Sequence, residues 1–293
     1  GIQGSGIANA SAIGGMLIPA MEKQGYEKDY AVAVTTAASM MSPIVPPSIA
    51  MILYSFYTEV PVSKLFLGGF IPGVMLCIAL ISVNYFIYVK RGYKVFSRHF
   101  SFTNVLKMFI KSIGALTMPL IILVGILSGL VTPTESGVLA IAYGIIYGMF
   151  ITHTLKVKDL GSIIFESAKT TSVVMLIIAA ASILSNVLVR LHFQSQILYL
   201  AVDVLQNPYL ASVFLMAVFL VLGMFLDPTV LIAMFATTVL TVGNAFNFDP
   251  IHYGVLMVIV MQIGAITPPV GTFLFISCGI GKLPLEQSVR PML

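Results

Sequence analysis

Apolar runs alternate with short polar turns along the whole chain, and two of those runs are interrupted by a pair of prolines. The run from Tyr30 to Tyr57 breaks at Ser42-Pro43-Ile44-Val45-Pro46-Pro47-Ser48, and a second break follows at Gly264-Ala265-Ile266-Thr267-Pro268-Pro269-Val270-Gly271. Proline has no backbone donor and its ring clashes with the preceding turn, so each pair interrupts the helical ladder and strands carbonyls such as those of Ser42 and Val45. Within a bilayer such a break is either a plain kink or the wall of a polar site. A shift of 222 positions lays Pro46-Pro47 on Pro268-Pro269, Tyr26 on Phe248, and the Ser5-Gly6 turn on Asp227-Pro228. Each half thus reads as a polar turn between apolar runs, a charged or Gly-rich link, and a helix broken at Pro-Pro. Paired interrupted segments in two halves are a sequence mark of a transport site.

The elements around these breaks follow from the same pattern. Gly1 to Gly6 is a Gly-rich turn carrying Ser5, and Ile7 to Met21 is an apolar helix too short to cross ~30 Å at about 1.5 Å per residue, hence the second arm of a re-entrant hairpin. A charged link, Glu22 to Asp29, precedes the first broken helix, and a polar loop from Glu59 to Lys64 follows it. Phe66 to Val89 is a span that delivers Lys90, Arg91, Lys94 and Arg98. Ser101 to Lys111 reads either as an amphipathic helix at the interface or as an ordinary loop. Ser112 to Val131 and Ser136 to Ile151 are spans joined at Thr132-Pro133-Thr134-Glu135, where Glu135 suits a capping acid. His153 to Lys169 is expected to be a polar, basic loop before the span Thr170 to Val189, and Arg190 to Gln206 a shorter polar stretch. Two apolar arms, Leu210 to Leu226 and Val230 to Phe246, flank Asp227-Pro228-Thr229, and Asp249-Pro250 opens the second broken helix, which ends near Gly281-Lys282.

The expected fold is an all-α polytopic membrane protein of two inverted repeats. Residues 1–58 and 207–282 form the transport segments, 59–111 a scaffold helix with a basic linker, 112–206 the scaffold helices of the second repeat, and 283–293 the start of a C-terminal connection. Opening inside a turn and stopping at Leu293, the chain is expected to lack the start of its first repeat and a last helix. Counting crossings puts all but Lys64 and Arg190 of the 15 Lys and Arg on one side, which is then the cytoplasm. The same count makes the first hairpin enter from the cytoplasm and the second from outside.

Composition agrees with the pattern and excludes other classes. With 58% hydrophobic and 9% charged residues over 293 positions, too few charges exist to cover a soluble surface. The net charge of +4 is concentrated between Lys90 and Lys111, a cytoplasmic loop rather than a nucleic-acid face. Cys77 and Cys278 lie within apolar runs, where they act as small hydrophobes. His99, His153, His192 and His252 fall near helix ends and form no H-E-x-x-H motif, so neither a metal set nor an enzyme is expected. A channel would not need two inverted units of hairpin and broken helix.

Asp227 is the sole acid from Leu210 to Phe246, without a Lys or Arg neighbour in sequence, and an intramembrane carboxylate is costly unless paired or solvated. It reads as an N-cap before Pro at the first helical position, or as a cation ligand, and both roles can hold at once. Pairing each hairpin turn with the broken helix of its own half gives two candidate Na⁺ sites of hard oxygen ligands. One uses Ser5, Asn9 and the carbonyls of Ser42, Val45 and Pro47; the other uses Asp227, Thr229 and the carbonyls of Gly264, Thr267 and Pro269. An anionic substrate suits the half-helices that restart after Ser48 and Gly271, with Thr272 beside them, where free amides and the helix dipole favour negative charge. Arg190 is either a further contact for that anion or a helix-end residue that snorkels.

The segments Gly4-Ser5-Gly6-Ile7-Ala8-Asn9-Ala10-Ser11-Ala12-Ile13-Gly14, Ser42 to Ser48, Val131-Thr132-Pro133-Thr134-Glu135-Ser136-Gly137, Leu226-Asp227-Pro228-Thr229 and Thr267-Pro268-Pro269-Val270-Gly271 together resemble the large membrane subunit of tripartite ATP-independent periplasmic (TRAP) transporters. The resemblance covers the whole chain. It implies an elevator-type, Na⁺-coupled importer of the bacterial inner membrane, with no cofactor beyond the coupling ion. It also implies carboxylate substrates received from a periplasmic binding protein, and a small membrane subunit as partner. A related symporter working without a binding protein is the alternative it leaves. Ser42-Pro43 is similar to the variant of sialic-acid-type members, where many others have Gly and an aliphatic residue; Gln3 stands where many have Ser, which weakens its side chain as a ligand.

Overall fold

A computed structural model of the protein describes residues 4–93 and 101–292; Gln3, Lys94, Arg98 and His99 lie outside them. Ser5 opens helix α1 (Gly6–Lys23), its hydroxyl accepting from the Ala8 amide at 3.3 Å. Helix α2 (Lys28–Ser39) stops where the first proline cluster begins, and α3 (Ile49–Thr58) resumes behind Ser48, whose hydroxyl accepts from the Met51 amide at 3.1 Å. Helix α4 (Val62–Lys90) is 29 residues long, about 44 Å at 1.5 Å per residue, enough to span a bilayer.

Helix α5 (Phe102–Leu127) covers the stretch left open as loop or interfacial helix, and its arms Phe102–Ile110 and Ser112–Leu127 bend by 57°. Helix α6 (Pro133–Ile146) runs on through a π turn to Ile151. Helix α7 (Val157–Arg190) corrects the sequence reading: most of the supposed loop from His153 to Lys169 is helical, its start closed by the Lys156 amide on Asp159 at 3.0 Å. At 34 residues, about 51 Å, α7 outruns the ~30 Å hydrocarbon core, so its polar first turns can stand in water. A short α8 (Phe193–Tyr199) precedes the second hairpin, α9 (Pro208–Gly223) and α10 (Pro228–Ala245). The second broken helix is α11 (Pro250–Gly264) and α12 (Thr272–Gly281), and α13 (Leu285–Met292) follows. No strand occurs among the described residues.

The chain divides into two compact units, residues 95–179 and the remainder. Within the smaller unit α5 packs on α6, whose N-terminus carries a capping box: Glu135 N–H donates to the Thr132 hydroxyl at 3.3 Å, and the Glu135 carboxylate accepts from Thr132 N–H at 2.7 Å. This is the capping role expected of Glu135. Thr132→Ala removes the cap and should cost ~1 kcal/mol, a thermal midpoint lower by a few degrees that Thr132→Ser restores. An unchanged midpoint in the alanine variant would show the box to be idle.

The larger unit holds the hairpins, both broken helices and α4, and its core shows the inversion directly. At one end Ile18 of α1, Val32 of α2 and Cys278 of α12 pack together, with Gly281 against Val32. At the other, Gly243 of α10 meets Tyr253 of α11, and Gly254 of α11 meets Tyr54 of α3. The first broken helix therefore runs from the first end to the second, and the other returns antiparallel. Lys23, Lys28 and Lys282 gather at the first end. Arg91, at the foot of α4, joins them by pairing with Glu27 and, at 3.3 Å, with Asp29, over the Tyr30 ring. Partial burial opposes the Arg91 charge, but bonds to Tyr93 and Asp29 outweigh it and hold its pKa above the ordinary value. This clustering is what the cytoplasmic assignment requires.

Candidate functional site

Both proline pairs hold a cis peptide bond, at Pro46-Pro47 and at Pro268-Pro269. At each restart an amide donates to a carbonyl of the hairpin turn in its own half: that of Ile49, the first residue of α3, to Gly4 O at 3.2 Å, and that of Gly271, the N-cap of α12, to Met224 O at 2.9 Å. Ile49 and Gly271 are themselves equivalent under the 222-position shift. Close approach secures both joints. At Gly4, with φ +69°, a Cβ would lie 2.7 Å from the Pro47 carbonyl oxygen, and Gly223 and Gly264 bring the backbones of α9 and α11 into contact. Only glycine fits such positions.

The two turns also meet each other. A small cavity of about 40 Å³ is walled by Gly4, Ser5 and Gly6 from the first turn and Asp227, Pro228 and Thr229 from the second. Pro43, Ile49, Ala50, Gln262 and Phe273 close it. The pairing within halves thus describes the backbone joints, whereas Ser5 and Asp227 face one shared space. The halves cross at α1 on α12 and at α10 on α3, where Gly6 makes room for the Phe273 ring.

Asp227 fulfils its capping role, Oδ1 accepting from the Thr229 amide at 2.8 Å, and is half-buried with carboxylate capacity to spare. Asn9 is buried on the first turns of α1 but does not line the cavity. Among the described residues no backbone donor reaches the carbonyls of Ser42, Val45, Pro47, Thr267 or Pro269, which agrees with the stranding expected of Pro-Pro breaks. The Gly264 carbonyl, by contrast, already accepts from Thr267 N–H at 2.9 Å, and the Thr267 hydroxyl donates to Ile263 O at 2.6 Å. The Ser42 hydroxyl is fully buried without a partner among the described residues.

The expected anion contacts fare differently. The Ser48 hydroxyl donates to Pro43 O and accepts from Met51 N–H, so it is consumed inside the break. The Ile49 and Gly271 amides are spent on the hairpin turns, leaving Ala50, Thr272 and Leu274 as the first-turn amides without an acceptor among the described residues. The Thr272 hydroxyl is likewise buried and unpartnered. Arg190 ends α7, exposed, and is not a lining residue of the cavity. A residue that sequence reasoning passed over is Gln262, 1% exposed, whose Oε1 has no partner among the described residues. It was discoverable, as the one amide in the apolar run from Gly254 to Ile266.

The whole chain, residues 1–293, matches the family model of the tripartite ATP-independent periplasmic transporter, DctM component. The chain belongs to this family. All of it aligns with the sialic acid TRAP transporter permease protein SiaT of Haemophilus influenzae, at 35% identity over 293 residues and 47% of that protein. It is 30% identical to the sialic acid TRAP transporter large permease protein SiaM of Vibrio cholerae and 31% to the C4-dicarboxylate TRAP transporter large permease protein DctM of Pseudomonas aeruginosa, covering 68% of each. The chain thus spans about half of the first relative and about two thirds of the others. As a DctM-family chain with helices long and apolar enough to cross a bilayer, it is a multi-pass protein of the bacterial inner membrane.

Proposed function

We propose that the protein imports an organic carboxylate by a Na⁺-coupled, elevator-type mechanism. In this reading a periplasmic binding protein delivers the substrate and a small membrane subunit completes the transporter. The observation that carries the reading is the cavity shared by the two hairpin turns. Its side-chain donors, Ser5, Asp227, Thr229 and Gln262, are all hard oxygen donors with a single carboxylate among them. That set fits one hard monovalent cation, which would supply positive charge next to the half-helix amides of Ala50 and Thr272. Two broken helices that restart on their own hairpins give a body able to move as one, as an elevator requires. Sialic acid and C4-dicarboxylates, named for the relatives, both carry the carboxylate such amides favour.

The test is uptake of labelled sialic acid and of a labelled C4-dicarboxylate into proteoliposomes holding the full-length protein and its small membrane subunit. Saturable uptake that needs both an inward Na⁺ gradient and the binding protein is expected. Uptake indifferent to the Na⁺ gradient would overturn the coupling, non-saturable flux would favour a channel, and uptake without the binding protein would favour a simple symporter.

A further inference from the structure

Resting on the import reading for its purpose, though not for its geometry, we infer that the short helix α12 swings away from α1 and α2 on the cytoplasmic side, and that water then reaches the first break along a seam of buried hydroxyls. Helices α1 and α12 run toward the cytoplasmic end and α2 runs away from it. Gly281 of α12 lies so close to α2 that a Cβ there would sit 2.5 Å from Val32 Cγ2. One turn inward on each helix, Thr35 comes level with Ser277, and Gly14 of α1 closes the third side, where a Cβ would sit 3.1 Å from Thr35 Cγ2. Thr35 is 3% and Ser277 0% exposed, and neither hydroxyl has a partner among the described residues. Thr36 and Ser39 carry the seam on toward the break, their hydroxyls donating to Val32 O at 2.8 Å and Thr35 O at 2.7 Å, and the unpartnered Ser42 hydroxyl ends it. Toward the cytoplasm the apolar cluster of Ile18, Val32 and Cys278 shuts it.

The inverted repeat supplies the comparison that gives these hydroxyls a purpose. Under the 222-position shift Thr35 falls on Met257, Thr36 on Val258 and Ser39 on Met261, all buried and apolar. The counterpart of Ser277 is Ser55, whose hydroxyl is satisfied by Val60 O at 2.5 Å. Packing in the outer half thus needs no unpaired hydroxyl, and the inner half carries two. A buried hydroxyl without a partner favours any state in which water meets it, whereas burial of Ile18, Val32 and Cys278 favours closure. The inner seam is therefore balanced between two states, and its outer counterpart is not. Helix α12 is built to swing: it has ten residues, with left-handed backbone on either side at Gly271 (φ 51°) and Lys282 (φ 49°).

The test uses the full-length protein with its small subunit in oriented proteoliposomes. A small, charged, membrane-impermeant thiol reagent is added to either side, and the modified residue is located by peptide mass spectrometry. Thr35→Cys should be modified from the cytoplasmic side alone, at least tenfold faster than Met257→Cys is from either side. Modification from the outer side, or no faster than that of Met257→Cys, overturns the inference. Thr35→Val decides the matter if Thr35→Cys does not fold. It removes an unpaired hydroxyl at nearly constant volume, so the thermal midpoint should rise while modification of the native Cys278 from the cytoplasm slows several-fold, and uptake with it. A midpoint below wild type, as for a hydroxyl that is in fact bonded, or Cys278 modified as fast as before, overturns the inference. A wild type that takes up no carboxylate overturns the import reading, and the labelling still decides the seam.

Discussion

Asp227→Asn is expected to raise the Na⁺ concentration for half-maximal uptake at least tenfold while the protein folds as before. The side chain has one role that the structure shows and one that is proposed, and substitution can separate them. As N-cap of α10 it accepts from the Thr229 amide at 2.8 Å, and asparagine caps about as well as aspartate. As the one carboxylate lining the shared cavity, it would offset the charge of the proposed cation, taken from water into a poorly solvating site, as asparagine would not. Losing as little as ~1.4 kcal/mol of that attraction is about tenfold in affinity. Asp227→Ala loses both jobs, so it should also lower the thermal midpoint, by the ~1 kcal/mol typical of a lost cap. Uptake against Na⁺ for both variants, with unfolding midpoints alongside, separates charge from cap. A Na⁺ curve for Asp227→Asn that overlays the wild type would leave Asp227 a capping residue and nothing more.

The parts of this site that were legible in the sequence are those whose cause is local. Pro46-Pro47 and Pro268-Pro269 end a helix wherever they occur, so the breaks at residues 40–48 and 265–271 could be placed from composition alone, and the stranded carbonyls followed. Asp227-Pro228-Thr229 and Thr132-Pro133-Thr134-Glu135 announce helix starts by short-range chemistry, and both are caps. The convergence of Ser5 and Asp227 on one cavity was not legible. It depends on α1 crossing α12 and α10 crossing α3, contacts over more than 170 positions that repeat symmetry alone does not fix. Gln262 escaped for a related reason: one amide in an apolar helix looks incidental until its neighbours in space are known. The reading of residues 153–169 failed differently. Lys156, Lys158, Glu166 and Lys169 predict a loop, but polarity reports contact with water rather than loss of helix, and at 34 residues α7 is longer than a bilayer crossing needs.

Gly264→Ala should be the most damaging small substitution in the larger unit. The added Cβ would lie 2.7 Å from the Cα of Gly223, 2.8 Å from the Leu220 carbonyl oxygen and 2.9 Å from the Gly223 carbonyl carbon. All three are backbone atoms, so no side chain can rotate away and α9 must move as a body. Overpacking of this kind costs ~1–3 kcal/mol where side chains can adjust, and a backbone contact belongs at the upper end. The displacement also has a functional reach, because the α9 end carries Met224, whose carbonyl holds the Gly271 amide, and Asp227 lies three residues beyond. The expected result is a thermal midpoint lower by several degrees together with weakened Na⁺ activation of uptake. Gly15→Ala supplies the comparison: Gly15 is an exposed position of α1 where a Cβ meets nothing within 4 Å among the described residues, and alanine improves helix propensity by about 1 kcal/mol. It should therefore match or exceed the wild-type midpoint. If the two alanine variants unfolded at the same temperature, contact between the α9 and α11 backbones would not be what holds the second hairpin to its broken helix.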